Sequence, residues 1–196
     1  MIIDFSKSQT RLNLMKAFAG ESQARERYTI AASFAAKNDL YVVKKLFLDI
    51  ADQEKEHGEI FYSFLKPFSG ENIQFSADYP VDLFDSVLEY LKKASLNEMD
   101  EYDDVYKNFS RIAMEEGFSD IAQKFSSIAN IEKTHCEKFK KVAQLLENNE
   151  LFNSKNGNGK WVCSQCGNVY EGSSVPDICP VCGHSRGFYI KSDLCI

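Results

Sequence analysis

Two segments of the chain, 47–61 and 125–139, repeat one another, and each contains the motif Glu-x-x-His. Aligned without gaps, eight of their fifteen positions are identical. The motif pairs Glu54 with His57 in the first copy and Glu132 with His135 in the second. Helical sequences repeat easily by chance, but histidine does not, since the chain has only three and two of them fall in register. The repeat therefore predicts two equivalent helices that carry the same chemistry.

The spacing within each motif places its two side chains on one face of a helix. Residues three apart are separated by about one helical turn. Large apolar residues lie four positions from a motif member on the same stripe: Ile50, Phe61, Ile128 and Phe139. This face is therefore expected to point inward, where carboxylates without a partner would be strongly unfavourable.

Two further helical segments offer carboxylates. Glu21 lies in the first segment, and Glu98 and Glu101 lie in the third with the same three-residue spacing. Carboxylates from two helices combined with Glu-x-x-His from two others are the ligand pattern of dimetal carboxylate bundles. Oxygen and imidazole donors suit iron or manganese, and the ligands do not separate these metals.

The charges of this ligand set fit two divalent ions. The five carboxylates bring five negative charges, of which two ferrous ions would balance four. Two ferric ions with an oxo bridge carry the same net charge as two ferrous ions. The site would therefore stay near neutrality in both oxidation states, which buried charges require.

The pattern of apolar residues and breaks predicts four long helices. We expect them to cover the following segments: from a cap at Ser6 or Ser8 to about Ala36, from about Leu40 to Leu65, from about Leu83 to Glu116, and from a cap at Ser119 to about Leu146. The first and last connections are short, so each joins an antiparallel pair. The middle one has about 15 extended residues and spans roughly 50 Å, enough to return along a helix. The predicted fold is an all-α four-helix bundle of the ferritin-like type, with one long crossover.

A four-cysteine motif follows the bundle. Cys163 and Cys166 form one Cys-x-x-Cys-Gly knuckle, and Cys179 and Cys182 form another. Four thiolates on two turns make a tetrahedral site for iron or zinc. A structural zinc ribbon is the alternative, and the nearby aromatic residues favour a shielded iron site; they are Trp161, Tyr170 and Phe188.

These features divide the chain into residues 1–148 for the bundle, 149–160 for a polar linker and 161–196 for a small cysteine domain held together by its metal. Outside the knuckles, we expect Cys136 to be a buried small residue, Cys195 a free thiol in the tail and His184 a surface residue rather than a ligand.

Composition excludes several classes of function. The net charge of −6 argues against a nucleic-acid partner, which a basic face would bind. We see no secretory signal at the N-terminus and no run of about 18 apolar residues that could span a membrane. The expected compartment is the cytoplasm, where thiols stay reduced.

Several longer motifs resemble the rubrerythrin family over nearly the whole chain. They are Phe18-x-Gly-Glu-Ser-x-Ala-x-x-x-Tyr28, both Glu-x-x-His motifs, Glu98-x-x-Glu101-Tyr102, Tyr106-x-x-Phe109-x-x-x-Ala113-x-x-Glu116-Gly-Phe118 and the two knuckles. Two positions depart from the family pattern, Asn97 in place of Gly and Lys107 in place of Pro. These departures bear on the course of the third helix and leave the ligand set intact.

The resemblance implies a non-haem peroxidase that reduces hydrogen peroxide to water and protects against oxidative stress. By family pattern, Glu54 and Glu132 bridge two irons, Glu21 binds the first iron, and Glu98 and His135 bind the second. Glu101 and His57 exchange on the first iron, and Glu101, His57 and Tyr28 act in catalysis. A rubredoxin-like domain binds one iron on Cys163, Cys166, Cys179 and Cys182. The family pattern also implies a homodimer and an electron donor that is a reductase or a rubredoxin.

Other functions are compatible with the same residues. A ferroxidase or iron-storage protein would use an equivalent bundle, but storage needs no attached electron carrier. An oxygen reductase would use both sites, and the sequence does not separate peroxide from oxygen as the oxidant. A non-enzymatic zinc and manganese protein is the third alternative.

Overall fold

The computed structural model describes residues 3–194, and within them the helices come first and the strands last. The α-helices are α1 (Gln9–Lys37), α2 (Tyr41–Ser63), α3 (Val87–Asp100), α4 (Tyr106–Glu115) and α5 (Ser119–Glu147). A π-helical turn, Glu101–Val105, joins α3 to α4, so these two form the third helix of a four-helix bundle. Short 3-10 turns occur at Phe5–Lys7, Lys66–Phe68 and Arg186–Phe188.

Local sequence signals explain most helix ends. The Ser8 hydroxyl caps α1 by accepting a hydrogen bond from the backbone N–H of Arg11, at 3.0 Å. Asp39 has a φ of 56°, and this left-handed residue turns the chain between α1 and α2. Gly117 has a φ of 92°, a left-handed conformation that favours glycine, and it ends the third helix before α5.

The predicted cap of α5 is wrong. Ser119 is the first residue within the helix, and Phe118 occupies the cap position without a side-chain hydrogen bond. The backbone N–H of Phe118 donates to the Ala113 carbonyl at 2.8 Å, and its ring lies 5.1 Å from the ring of Phe5. Apolar packing of Phe118, rather than a hydroxyl, therefore fixes the entry into this helix.

The third helix also differs from the expected single span. It begins at Val87 after a cap by Ser86, four residues later than predicted, and the π-helical turn interrupts it. Lys107 spans this turn, because its ammonium contacts the Asp103 carboxylate at 2.8 Å and lies 4.1 Å from the centre of the Tyr102 ring. The lysine that departs from the family pattern thus supports the turn itself.

The bundle has two apolar clusters with a polar layer between them. α1 packs along α2, and α5 packs against α3 and α4, while residues 69–86 cross from one pair to the other. Ile50 and Phe139 belong to one cluster, and Phe61 and Ile128 belong to the other. The Glu-x-x-His motifs lie between these residues along α2 and α5, so the apolar clusters enclose the motifs from both sides. The predicted ferritin-like bundle with one long crossover is confirmed.

The cysteine domain is a small antiparallel sheet of β1 (Gly159–Cys163), β2 (Val169–Gly172) and β3 (Tyr189–Lys191) in the order β2-β1-β3. Trp161 pairs with Tyr170 across β1 and β2, and its ring is fully buried. The indole N–H of Trp161 donates to the Leu151 carbonyl at 3.0 Å, which fixes the chain that enters the domain.

This small domain packs directly on the bundle. The Ser185 hydroxyl donates to the Asp39 carboxylate at 2.5 Å, and the Phe188 ring stacks on Tyr41 with centroids 4.1 Å apart. A Cβ atom on Gly187 would lie 1.9 Å from the Asp39 carbonyl oxygen, so only glycine allows this approach.

The segment 149–160, which we predict as a linker, takes part in this packing. Leu151 is buried in the bundle core, Leu194 joins the same cluster, and β1 already begins at Gly159. The division of the chain at residues 148 and 161 stays a prediction.

No helix within residues 3–194 combines the length and apolar character needed to cross a membrane.

Replacing Glu116 by Gln is expected to destabilise the bundle by about 1 kcal/mol. The Glu116 carboxylate accepts hydrogen bonds from the backbone N–H groups of Gln9 and Thr10 and from the Thr10 hydroxyl, which ties α4 to the start of α1. Burial alone would raise the pKa of Glu116, but these hydrogen bonds hold that pKa below its usual value. The control is Glu115→Gln, which removes only an exposed ion pair with Arg111.

Urea unfolding followed by circular dichroism measures this effect. Since the folded-state pKa is lowered, the stabilisation is present above the unfolded-state pKa of about 4.3 and is lost as the pH falls through the folded-state value. The difference between wild type and Glu116→Gln should therefore shrink on acidification. Equal stability of Glu116→Gln and Glu115→Gln at neutral pH would contradict this role.

Candidate metal centres

The centre of the bundle holds two groups of ligand-type side chains that share two members. The first group is Glu21, Glu54, His57 and Glu132, and the second is Glu54, Glu98, Glu132 and His135. Within each group, donor atoms of all four residues lie within 4.8 Å of one another. α1, α2, α3 and α5 each contribute, and all six residues are buried.

The two histidines face the shared carboxylates. His57 Nδ1 lies 2.9 Å from Glu54 Oε2 and 3.0 Å from Glu132 Oε1. His135 Nδ1 lies 2.8 Å from Glu132 Oε2, 3.1 Å from Glu54 Oε1 and 3.3 Å from Glu98 Oε2. The two imidazole rings are 5.8 Å apart and nearly parallel, inclined by 20°. The in-register repeat of the sequence thus becomes a near-symmetric pair of sites.

Several of these atoms lack the partners that buried polar atoms need. Among the described residues, no hydrogen bond of good geometry is made by one oxygen each of Glu21, Glu54 and Glu98, by either carboxylate oxygen of Glu132, or by His135 Nδ1, although the two Nδ1 nitrogens lie within 3.3 Å of carboxylate oxygens. Orphaned buried atoms are costly, and here they converge from four helices. Divalent metal ions would satisfy them together, so the donor set fits the dimetal centre that the sequence predicts.

The pKa values of the metal-free site also indicate that this layer needs positive charge. Burial raises the pKa of Glu21 well above its usual value, and the nearby Glu54 and Glu132 raise it further. Burial alone would lower the pKa of the histidines, but the shared carboxylates, which lie within 3.1 Å of each Nδ1, raise it to about 9 for His57 and about 12 for His135. Without metal, bound protons therefore compensate part of the negative charge of the carboxylates.

Three residues outside the two groups hold ligand-type side chains in place. The Tyr28 hydroxyl donates to Glu98, and the Tyr106 hydroxyl donates to Glu21. The Nε2 nitrogen of His135 lies 2.7 Å from Gln53 Oε1, which leaves Nδ1 facing the carboxylates. Sequence reasoning missed Gln53, because its helical position predicts an exposed side chain. It also gave Tyr106 no role, although this residue is part of the motif that resembles the family.

Glu101 lies apart from both groups. It is the first residue of the π-helical turn, it is partly exposed, and it lines a cavity that opens on the surface. Burial raises the pKa of Glu101 well above its usual value, and the charge of Glu98 adds to this rise. Six of the eight site residues predicted in the bundle belong to one of the two groups, and the other two are Glu101 and Tyr28.

The four predicted cysteines come together in the C-terminal domain, with Sγ atoms within 4.8 Å of one another. Cys163 and Cys179 are buried, whereas Cys166 is exposed and Cys182 partly so, which leaves one edge of the site open. Trp161, Tyr170 and Phe188 pack in the surrounding cluster as predicted. Sequence reasoning missed Tyr189, whose buried hydroxyl hydrogen bonds to Cys179 and lowers the pKa of that thiol to about 6.

Cys136 and His184 take no part in this site. Cys136 is buried beside Ser95, as predicted, and Cys195 lies outside the described residues. His184 packs against Phe188 and is not a member of the four-thiol group.

A four-helix bundle with a carboxylate and histidine pair of sites, followed by a four-cysteine domain, defines a class of non-haem iron proteins. Two family models match the chain: rubrerythrin over residues 13–143, and the rubredoxin-like domain of rubrerythrin over residues 161–189. The chain therefore belongs to the rubrerythrin family. The expected di-iron and four-cysteine types of site are both confirmed at this level.

Rubrerythrins of other organisms are similar in sequence to this chain along almost its full length. The chain is 40% identical over 183 residues to rubrerythrin of Clostridium perfringens, covering 93% of each chain. It is 35% identical over 182 residues to rubrerythrin of Nitratidesulfovibrio vulgaris, again covering 93% of each. Among solved structures, fully reduced nigerythrin shares the fold at a TM-score of 0.63 with 23% identity, covering 95% of this chain and 90% of that one.

Binding of ferrous iron to the metal-free protein is expected to release protons. His57 and His135 carry raised pKa values of about 9 and about 12, so both hold protons near neutral pH that a metal must displace. Affinity should therefore rise with pH between about 6 and about 8. Anaerobic calorimetry in two buffers of different ionisation enthalpy measures the proton count, with His184→Ala as a control that should match wild type. A binding enthalpy independent of the buffer would contradict this linkage.

Proposed function

We propose that this iron-dependent oxidoreductase is a non-haem peroxidase. It reduces hydrogen peroxide to water, so that one O–O bond breaks and two electrons and two protons are consumed for two water molecules formed. The observation that carries this proposal is the pair of adjacent ligand groups that share Glu54 and Glu132, in one chain with a four-cysteine site. Paired sites suit a two-electron reaction, and the cysteine site suits the supply of electrons one at a time.

The ligand assignments follow from the grouping of the side chains. Glu21, Glu54, His57 and Glu132 would hold one iron, and Glu54, Glu98, Glu132 and His135 would hold the second. The four thiols of Cys163, Cys166, Cys179 and Cys182 would hold the third. When bound, the two irons of the bundle supply the electrons that reduce the peroxide bond.

Glu101 is the proposed acid–base group of this reaction. It lines the cavity while the carboxylates of both ligand groups are buried, so it is the carboxylate that a reactant in the cavity can reach. Glu101 and His57 would alternate beside Glu21, with His57 as the neutral donor of the reduced state and Glu101 as the anionic donor of the oxidised state. In the described structure His57 lies inside the first group and Glu101 lies outside both groups.

The hydrogen bonds around the site would position these groups. Tyr28 holds Glu98 and Tyr106 holds Glu21, so each carboxylate keeps one oxygen free to face the centre. Tyr28 would also return a proton to the centre through Glu98, to which its buried hydroxyl donates a hydrogen bond. Gln53 fixes the ring of His135.

Electron delivery favours a homodimer. The cysteine domain contacts its own bundle at Tyr41, and α2 rises about 1.5 Å per residue, so Glu54 lies roughly 20 Å further along the helix. A second copy that places its cysteine site nearer the ligand groups would shorten this path. A reductase or a rubredoxin would reduce the cysteine site from outside, where Cys166 is exposed.

Iron storage and oxygen reduction are the competing functions. Storage would leave the cysteine site without a role, although this site is fully formed and packed on the bundle. Oxygen reduction would use the same two sites, and a comparison of the oxidation rates with peroxide and with oxygen separates the two functions.

Glu101→Gln is expected to slow the oxidation of the reduced protein by peroxide by at least about tenfold, because the amide keeps the shape but removes both the charge and the proton. Ferrous binding should survive, since neither ligand group includes Glu101. Stopped-flow absorbance under anaerobic conditions measures the rate, with Asp104→Asn in the same turn as the matched control. A wild-type rate in Glu101→Gln would rule out this role, and faster oxidation of wild type by oxygen than by peroxide would favour the oxygen reductase.

Cys182→Ser is expected to abolish steady-state turnover with an external donor while the reduced bundle still reacts once with peroxide. The substitution removes one of four thiolates and spares every residue of the bundle core. Turnover and single-turnover rates measure the two effects separately. Cys136→Ala, which removes a buried cysteine outside the four-thiol group, is the control. Unchanged turnover in Cys182→Ser would show that electrons enter elsewhere.

A further inference from the structure

The cavity beside Glu101 is the feature that the proposed chemistry leaves unexplained. It has a volume of about 260 Å³ and lies between α1, the crossover and the third helix. Glu101 and Tyr106 line it from the third helix, and Gly20 lines it from α1.

Glu101 and Tyr106 connect this cavity to the buried ligand groups. The side chains of both groups are 0–5% exposed, and none of them lines the cavity. Glu101 does line it, and the Tyr106 hydroxyl that lines it donates to Glu21. A reactant that enters here therefore meets Glu101 first and the first ligand group behind it.

The outer wall of the cavity is a piece of the crossover, residues 77–80. The Tyr79 hydroxyl donates to the Lys16 carbonyl of α1 at 3.1 Å. The Tyr79 ring lies over Gly20, because a Cβ atom built there would be 3.9 Å from Cε1 of the ring and would meet no other atom within 4 Å. Burial raises the pKa of Tyr79, and the charge of Glu101 contributes to this rise, which agrees with their placement in one cavity.

Side chains, rather than backbone, hold this wall in place. From residue 72 to residue 85 the crossover makes no backbone–backbone hydrogen bond within the described structure. Asp82 anchors it instead, through an ion pair with Arg27 and a hydrogen bond of 2.9 Å from the Asn97 amide. The side chains of Arg27 and Asp82 are only 11% and 8% exposed, so this pair is shielded from solvent. Asn97 is one of the two departures from the family pattern. A glycine at this position would lack the side-chain amide that donates a hydrogen bond to Asp82.

We infer that the crossover segment 77–82 is a size filter for the oxidant. Tyr79 and the Asp82 anchor hold a wall that admits hydrogen peroxide to Glu101 and excludes bulky organic hydroperoxides. Tyr79 contacts no ligand group and is a specificity residue, and Asp82, Arg27 and Asn97 position the wall. This inference rests on the proposed peroxidase function.

The test compares two oxidants on the full-length, iron-loaded, reduced protein. The measured quantity is the ratio of single-turnover rates with cumene hydroperoxide and with hydrogen peroxide, because a ratio cancels general damage to the site. Tyr79→Ala should raise this ratio by about tenfold or more by removing the ring from the wall. Tyr79→Phe keeps the ring and should change the ratio by less than about threefold.

A second pair of variants tests the anchor. Asp82→Asn breaks the ion pair with Arg27 and should raise the ratio, whereas Asp85→Asn removes an exposed charge from the same crossover and should not. Gly20→Leu tests the opposite direction, because its side chain would extend toward Tyr79 and narrow the route. It should slow the reaction with both oxidants.

Iron removal gives a readout that does not depend on turnover. The rate at which a bulky ferrous chelator extracts iron from the bundle should rise in Tyr79→Ala and Asp82→Asn and fall in Gly20→Leu. Equal oxidant ratios and equal extraction rates in wild type, Tyr79→Ala and Asp82→Asn would overturn the size filter. Failure of the proposed function gives a different result. Neither the wild type nor any variant would then react with hydrogen peroxide, while the iron extraction rates would still show whether the crossover wall limits access.

Discussion

The burial of like charges at the centre of the bundle is the constraint on which the rest of the structure depends. Glu54, Glu132, Glu98 and Glu21 are 0–1% exposed, although water is the best solvent for a carboxylate. Two imidazoles lie among them, and together they leave several atoms without partners. Only bound cations or protons make such a layer stable. Without metal the pKa values of Glu21 and His135 are raised, which favours protons in that role, and iron fills it in the rubrerythrin family.

The fold meets this constraint by dividing the ligands among four helices and supporting them from outside. The repeat on α2 and α5 supplies the shared carboxylates and both histidines, while α1 and α3 add one carboxylate each. Tyr28, Tyr106 and Gln53 fix the orientation of these ligands. The π-helical turn places Glu101 outside the two groups and in contact with the cavity. Most of the ligand-type side chains are therefore held by neighbouring groups, and Glu101, which is partly exposed, lies where the helix is irregular, as is common at functional sites.

The sequence allowed much of this to be predicted, because local patterns carry it. The two Glu-x-x-His copies and the two cysteine knuckles identify their sites through spacing alone, and Gly117 marks its turn. Features that depend on tertiary packing were missed. The π-helical turn at Glu101 has no local signal, Gln53 is an ordinary polar residue until α5 brings His135 to it, and Ser119 loses its expected role to the packing of Phe118. The contact of the cysteine domain with Asp39 joins residues far apart in the chain, so no local pattern reveals it.

Anomalous diffraction at the iron edge, on crystals of the anaerobically reduced protein, would show whether a pair of irons balances the buried charges. Three iron peaks per chain are expected, one for each ligand group: one among Glu21, Glu54, His57 and Glu132, one among Glu54, Glu98, Glu132 and His135, and one among the four cysteines. A single metal in the bundle, or peaks that persist only at the zinc edge, would contradict this expectation.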